Sequence, residues 1–160
     1  MLKQENSVAA DTAPLFYEDL VRAHCWRSQE REVTRELVMQ FAELTGDHDP
    51  LHVDDEFASE TPFRQPVAHG LLGLSLLAGL SSNCPRVKTV AFTGIESWQF
   101  KRPIFFGDVV HAETEVVQLE PYGRRAGKVT WFRQLVNQDG HVVQQGDLQT
   151  IVAARSVMKP

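Results

Sequence analysis

Asp47 and His52 stand five residues apart in Gly46-Asp47-His48-Asp49-Pro50-Leu51-His52, and Val67-Ala68-His69-Gly70 follows at the head of an apolar run. A carboxylate and an imidazole that converge on one small pocket can hold a water between them, one taking its proton while the other orients it. Both groups suit neutral pH, where an Asp is ionised and a His exchanges protons near its ordinary pKa. If a helix begins at Ala68-His69-Gly70, its first N–H groups lack intrahelical partners and its positive dipole end lies there. Gly70 would let a substrate carbonyl come close to those donors, which stabilise the enolate formed when a thioester is attacked at its β-carbon. Base, acid and oxyanion site are what adding water to an activated double bond requires. Plainer readings use the same residues. Asp followed by Pro makes a common turn, His52 could bond backbone, and Gly70 could relieve crowding under the helix while His69 caps or packs.

The stretch is also dense in metal-ligand atoms, from His48, Asp49, His52, Asp54, Asp55 and His69. His48 and His52 are spaced i, i+4, but that spacing aligns ligands only on a helix, and Pro50 between them argues against one. No Cys lies nearby, so no metal is expected. Arg64, Lys101, Arg102, Arg124 and Arg125 are scattered singly or in pairs; they could hold the phosphates of a nucleotide-tailed substrate, or be solvated surface. Tyr122, Trp98 and Trp131 read as packing.

The elements that must position these residues follow from periodicity. A strand is expected around Cys25 to Val33. Thr34 is a fitting N-cap for a helix in which Leu37, Val38, Phe41 and Leu44 recur at helical spacing, and Gly46 ends it directly before Asp47. Pro50 keeps Asp47–His52 non-helical in this reading. A short helix is expected over Asp55–Ser59, broken by Thr61-Pro62-Phe63-Arg64-Gln65-Pro66. From Ala68 to Ser81 the chain is apolar nearly all round, which predicts a buried helix. Four β-rich runs follow, near Val90–Phe100, Val109–Leu119, Val129–Asn137 and Val142–Ala153, with Val129, Trp131, Arg133 and Leu135 on one face of the third. Asn137-Gln138-Asp139-Gly140 should turn the last two into a hairpin. A long buried helix followed by long antiparallel strands predicts an α+β fold with the sheet wrapped around the helix.

At 160 residues the chain suits one domain with a real core; residues 1–13 read as a disordered arm and 14–160 as the domain. The formal net charge of −5 argues against a general grip on nucleic acid. Met1–Asn6 turns polar before a signal-peptide core could form, and Gly70–Leu80 falls short of the roughly 20 residues a membrane span needs, so a cytoplasmic location without membrane contact is expected. Cys25 and Cys84 are expected as reduced thiols.

The block Phe41–Asp54, with Gly46-Asp47-His48-Asp49-Pro50-Leu51-His52 at its heart, then Pro62-Phe63, then Pro66-Val67-Ala68-His69-Gly70-Leu71-Leu72, resembles the MaoC-like (R)-specific enoyl-CoA hydratase family. Phe100-Lys101-Arg102-Pro103 with Gly107-Asp108 resembles its strand segment, and the likeness covers roughly residues 15–155. It implies a hot-dog fold, a long helix wrapped by an antiparallel sheet and dimerised through the sheets, as a homodimer or a dimer of dimers. It implies catalytic roles for Asp47 and His52 on the water and for the Gly70 N–H as oxyanion donor. Pro50, His69, Ser75 (the family often has a pocket-facing Ser on the helix) and Arg64 are the expected substrate contacts. The implied substrate is an acyl-CoA or acyl-carrier-protein thioester, with coenzyme A as part of the substrate and no separate cofactor. Asp49 departs from the Asn common before this proline; ionised Asp cannot donate a hydrogen bond, and a second carboxylate would raise the proton affinity of Asp47. Two alternatives are thioester hydrolysis on the same fold, which usually puts its carboxylate on the helix, and acyl binding without turnover.

Overall fold

The computed structural model describes residues 13–156. The arm expected at residues 1–13 therefore lies, but for its last residue, outside the described residues. After a 3-10 turn at Tyr17–Asp19 come two short strands, β1 (Cys25–Arg27) and β2 (Arg31–Glu32), where one longer strand was expected. Ser28 causes the break. Its N–H donates to the Ala112 carbonyl at 2.9 Å, but its hydroxyl rather than a carbonyl receives the Ala112 N–H, also at 2.9 Å. A side chain thus replaces the backbone acceptor in the ladder, and regular pairing stops there.

Helix α1 (Arg35–Thr45) starts as expected at Thr34, whose hydroxyl accepts from Leu37 N at 3.2 Å. It stops at Gly46, which takes the left-handed conformation (φ 77°) that any side chain would strain. Two short helices follow, α2 (Pro50–Val53) and α3 (Asp55–Glu60). The expectation that Pro50 keeps the Asp47–His52 segment free of helix is corrected by α2. Proline is excluded from a helix interior but favoured at its first position, where its missing N–H would have had no partner, and Asp49 supplies the cap by accepting Leu51 N at 2.9 Å.

Helix α4 (Gly70–Ser81) precedes β3 (Thr89–Phe100), β4 (Val109–Tyr122), β5 (Ala126–Asn137) and β6 (Val142–Ala153). These strands pair antiparallel in the order β1-β4-β5-β6-β3, with β2 beside the other end of β4. The β5–β6 hairpin forms where expected: the Asn137 side chain accepts from Asp139 N and His141 N, and Gly140 has φ 75°. The sheet curls around α4, which makes this the hot-dog fold. Leu72 and Leu77 of α4 meet Val110 and Ala112 of β4, Leu135 of β5 and Leu148 of β6 in one core cluster. A second cluster gathers Leu20, Trp26, Val116, Val129 and Trp131. Each large apolar side chain fully buried here, such as Leu77, Leu135 or Leu148, contributes about 1.5–3 kcal/mol.

Helix α4 is not enclosed on every side, contrary to the all-round apolar pattern. Leu72, Gly73, Leu77 and Ser81 are buried, whereas Leu71, Ser75, Ala78 and Gly79 form an exposed stripe, with Leu71 at 62%. The edge strand β3 is exposed along nearly its whole length, including Val90, Phe92, Ile95 and Phe100. Cys25 and Cys84 are free thiols.

Candidate active site

Three segments bring the site together. The end of α1 releases Asp47 into a tight loop, in which the Asp47 carboxylate accepts weakly from Asp49 N at 3.4 Å. Helix α2 then carries His52 back towards the chain entering α4. His52 Nδ1 lies 2.7 Å from the carbonyl oxygen of Val67, and His69 Nε2 lies 2.9 Å from that of Asp47. A carbonyl only accepts, so both ring nitrogens carry hydrogens. In the neutral ring His52 therefore has its lone pair on Nε2, and His69 has its lone pair on Nδ1. The two rings lie 3.9 Å apart between centroids, and Phe41 of α1 packs on His69 at 5.1 Å.

Asp47, His52 and His69 each offer a donor atom within 4.8 Å of the other two. A water making two hydrogen bonds of about 2.8 Å spans such a gap. Its two hydrogens can point at the Asp47 carboxylate and at an imidazole lone pair, leaving an oxygen lone pair for an electrophile. Among the described residues these three are also the one set of at least three His, Cys, Asp or Glu side chains close enough to share a metal ion. Of the ligand-rich residues His48, Asp49, His52, Asp54, Asp55 and His69, the fold brings His52 and His69 to Asp47 and leaves the other four outside the cluster.

Helix α4 begins at Gly70, so the Gly70 N–H is an outward-pointing first-turn donor. A Cβ on Gly70 would stand 3.0 Å from the Phe100 ring, which shows how closely that strand end approaches. Gln144 of β6 fixes the turn from behind, donating from Nε2 to the Gly70 carbonyl at 2.9 Å. Gly73 makes room for it: a Cβ there would fall 2.1 Å from Gln144 Nε2 and 2.7 Å from Ile104. A pocket of about 380 Å³ opens over these groups, lined by Leu51, His52, Phe63, Gly70, Phe100 and Gln144 among others, with Lys101 and Arg102 also on its wall.

The expected site residues separate in space. His52 and Gly70 line the pocket, and Asp47 joins them through the three-residue cluster. His69 does not line it; at 2% exposure it anchors the Asp47 backbone and stacks on His52. Pro50 starts α2 rather than facing the pocket. Ser75 lies on the exposed stripe with its hydroxyl donating to the Leu71 carbonyl, and the Arg64 guanidinium turns back to the Ser59 carbonyl at 3.4 Å. Asp49 does for α2 what Asn would do equally well, because either side chain caps a helix. Gln144 and Phe100 escaped the sequence reading. Gln144 was detectable in principle as a polar residue at a core-facing strand position, but nothing local said that it meets Gly70.

Fold and site together define a hot-dog protein in which an Asp–His pair stands at a pocket lined by His52 and a helix N-terminus. The chain belongs to the MaoC-like domain family, whose profile matches residues 19–134. It is 34% identical over 113 residues to a 3-hydroxybutyryl-CoA dehydratase of Methylorubrum extorquens, covering 70% of each chain. It is 44% identical over 82 residues to an (R)-specific enoyl-CoA hydratase of Aeromonas caviae, covering 51% of this chain and 60% of that protein. Among solved structures, a MaoC-like dehydratase from Rhodospirillum rubrum superposes with a TM-score of 0.82 at 27% identity, over 89% of this chain and 99% of that one.

Proposed function

We propose that this protein is a hydratase/dehydratase of enoyl thioesters, interconverting a trans-2-enoyl-CoA and a (3R)-3-hydroxyacyl-CoA. The observation that carries the reading is the convergence of Asp47 and His52 across a gap one water spans, with His52 on the wall of a pocket that Gly70, the first residue of α4, also lines. Asp47 takes a proton from that water while His52 orients it. The hydroxyl oxygen bonds to the β-carbon, the electron pair of the double bond moves onto the thioester oxygen, and the Gly70 N–H stabilises the enolate. The enolate then takes a proton at its α-carbon from the Asp47–His52 pair, so one water is added and nothing is left over. No cofactor enters beyond the coenzyme A of the substrate. Hydrolysis of the thioester is disfavoured because α4, Gly70–Ser81, carries no carboxylate.

The same reading includes a homodimer. Strand β3 is an edge with exposed Val90, Phe92 and Ile95, a surface that a lone chain would leave open to aggregation and that a second copy would cover by edge pairing. No helix among the described residues is long and apolar enough to cross a membrane. A cytoplasmic location is supported by the two free thiols, both pushed up in pKa chiefly by burial and so held as thiols.

The test is hydration of crotonyl-CoA, followed as loss of the conjugated enoyl absorbance. Asp47→Asn and His52→Ala should each lower kcat by about 10²–10⁴-fold. Normal rates in both variants would remove the assignment.

A further inference from the structure

Lys101 and Arg102 give the pocket a charge that the rest of the protein does not share. The chain has a net charge of −5, yet none of the residues lining the pocket is acidic, and these two place a pair of cations on its wall. Neither is spent on a neighbour. Lys101 Nζ reaches only Gln99 Oε1, at 3.4 Å, and among the described residues no acceptor meets the Arg102 guanidinium.

The backbone that carries them is pinned. The N–H groups of Lys101 and Arg102 both donate to the Val143 carbonyl, at 2.9 and 3.2 Å, and Pro103 follows with its φ fixed by the ring. Val143 is next to Gln144, whose side chain holds the Gly70 carbonyl. Adjacent residues of β6 therefore set the place of the two cations and of the helix start.

Burial gives the pocket a direction. Val67, Ala68 and Ile104 supply buried apolar wall, whereas Phe63, Phe100, Lys101 and Arg102 are exposed, so its charged side is the side open to solvent. An apolar acyl group gains by lying against the buried wall. The hydrophilic handle of the thioester is then left on the open side, beside the cations. The pantetheine arm, common to coenzyme A and acyl carrier proteins, covers about 15 Å when extended before it meets its phosphate. The Phe100 ring stands 3.0 Å from where a Gly70 Cβ would be, and Lys101 and Arg102 follow at about 3.8 Å per residue with long side chains beyond. Arm and cations thus reach out from Gly70 over the same length. A phosphate suits both, since arginine meets its oxygens as a fork and lysine as a point charge.

We propose that Lys101 and Arg102 form a phosphate subsite that receives the phosphate at the end of the pantetheine arm. This rests on the hydratase reading for where the thioester carbonyl lies. The test is calorimetric binding of butyryl-pantetheine, butyryl-phosphopantetheine and butyryl-CoA, saturated thioesters that share an acyl group, cannot be hydrated and differ in phosphate. Wild type should bind butyryl-phosphopantetheine at least about threefold more tightly than butyryl-pantetheine, as expected of two solvent-exposed ion pairs. Raising NaCl from about 0.05 to 0.5 M should shrink that margin, because exposed charges are screened. The double variant Lys101→Gln with Arg102→Gln should abolish it while leaving butyryl-pantetheine affinity within about threefold. A further gain for butyryl-CoA that the double variant also removes identifies coenzyme A as the source of the phosphate. Equal affinities for butyryl-CoA and butyryl-phosphopantetheine identify the phosphate that both handles carry, for which a carrier protein serves as well. No gain from the phosphate in the wild type, or an undiminished gain in the double variant, overturns the proposal. If the double variant fails to fold, the wild-type comparison and its salt dependence decide. Crotonyl-CoA turnover without a gain from the phosphate refutes the subsite alone; a gain without turnover refutes hydration alone.

Discussion

Replacing His69 with Phe separates positioning from packing. Phenylalanine keeps the ring that stacks on His52 and Phe41 but removes the Nε2–H that donates to the Asp47 carbonyl. In stability, losing that bond costs about 0.5–1.5 kcal/mol. The substitution also removes the desolvated, unpartnered Nδ1, which offsets part of the cost. The net is about 1 kcal/mol or less, a shift in Tm of roughly 2–4 °C for a domain of this size. Catalysis should suffer more. With its anchor gone the Asp47 loop can drift by about 1 Å, and a misplacement of that order costs about 10²-fold in rate. Because His69 does not line the pocket, the loss should fall on kcat, with KM unchanged within about threefold. The assay is steady-state hydration of crotonyl-CoA alongside thermal unfolding of the same preparation. A His69→Phe enzyme with wild-type kcat would refute the anchoring argument; a collapse in Tm of more than about 10 °C would show that the ring's polar edge matters to the fold instead.

Three other perturbations follow from the same geometry. Gly73→Ala forces Gln144 off the Gly70 carbonyl, so it should cost about 1–3 kcal/mol in stability and lower crotonyl-CoA turnover about tenfold or more, read by denaturant unfolding and kinetics together. Phe92→Lys with Ile95→Lys puts charges on the open edge of β3 and should convert the dimer to monomer by light scattering, and a wild type that is itself monomeric would refute the dimer. The Arg35 guanidinium grips the Asp55 carboxylate with two bonds, at 2.9 and 2.6 Å, tying α1 to α3 across the Asp47 loop and holding the Asp55 pKa below its ordinary value. A carboxylate whose pKa is lower in the folded state stabilises above its unfolded value and loses that contribution as pH falls through the folded one. Arg35→Gln should therefore be less stable than wild type at pH 7, with the gap closing as pH falls through and below the ordinary carboxylate range.

Much of this was legible because it is local. The stop of α1 at Gly46 is a backbone property of glycine, the cap at Thr34 is a hydroxyl three residues from an N–H, and the Asn137–Gly140 hairpin is a turn of four residues. Where local rules compete, the outcome was less readable. Pro50 has opposite meanings inside a helix and at its first position, and the cap from Asp49 decided between them. The Gly70–Leu80 run, apolar but for Ser75, says little about which of its sides faces the sheet, because one small polar residue marks a face only weakly.

By itself the sequence determined the chemistry at hand: an ionised carboxylate, an imidazole and a glycine at a helix start, and a family motif that names the same residues. Tertiary structure alone decided which nitrogen of each histidine is free, that His69 anchors Asp47 instead of touching the pocket, and that Gln144, 74 residues from Gly70, holds its carbonyl. The physical reason is that a hydrogen bond's direction depends on where two distant segments meet in space, and residue type and spacing carry no information about that meeting. Arg133 belongs to both sides of this division. Its place on an apolar strand face is plain in the sequence, but that its buried Nε meets no acceptor among the described residues is a fact of the folded chain alone.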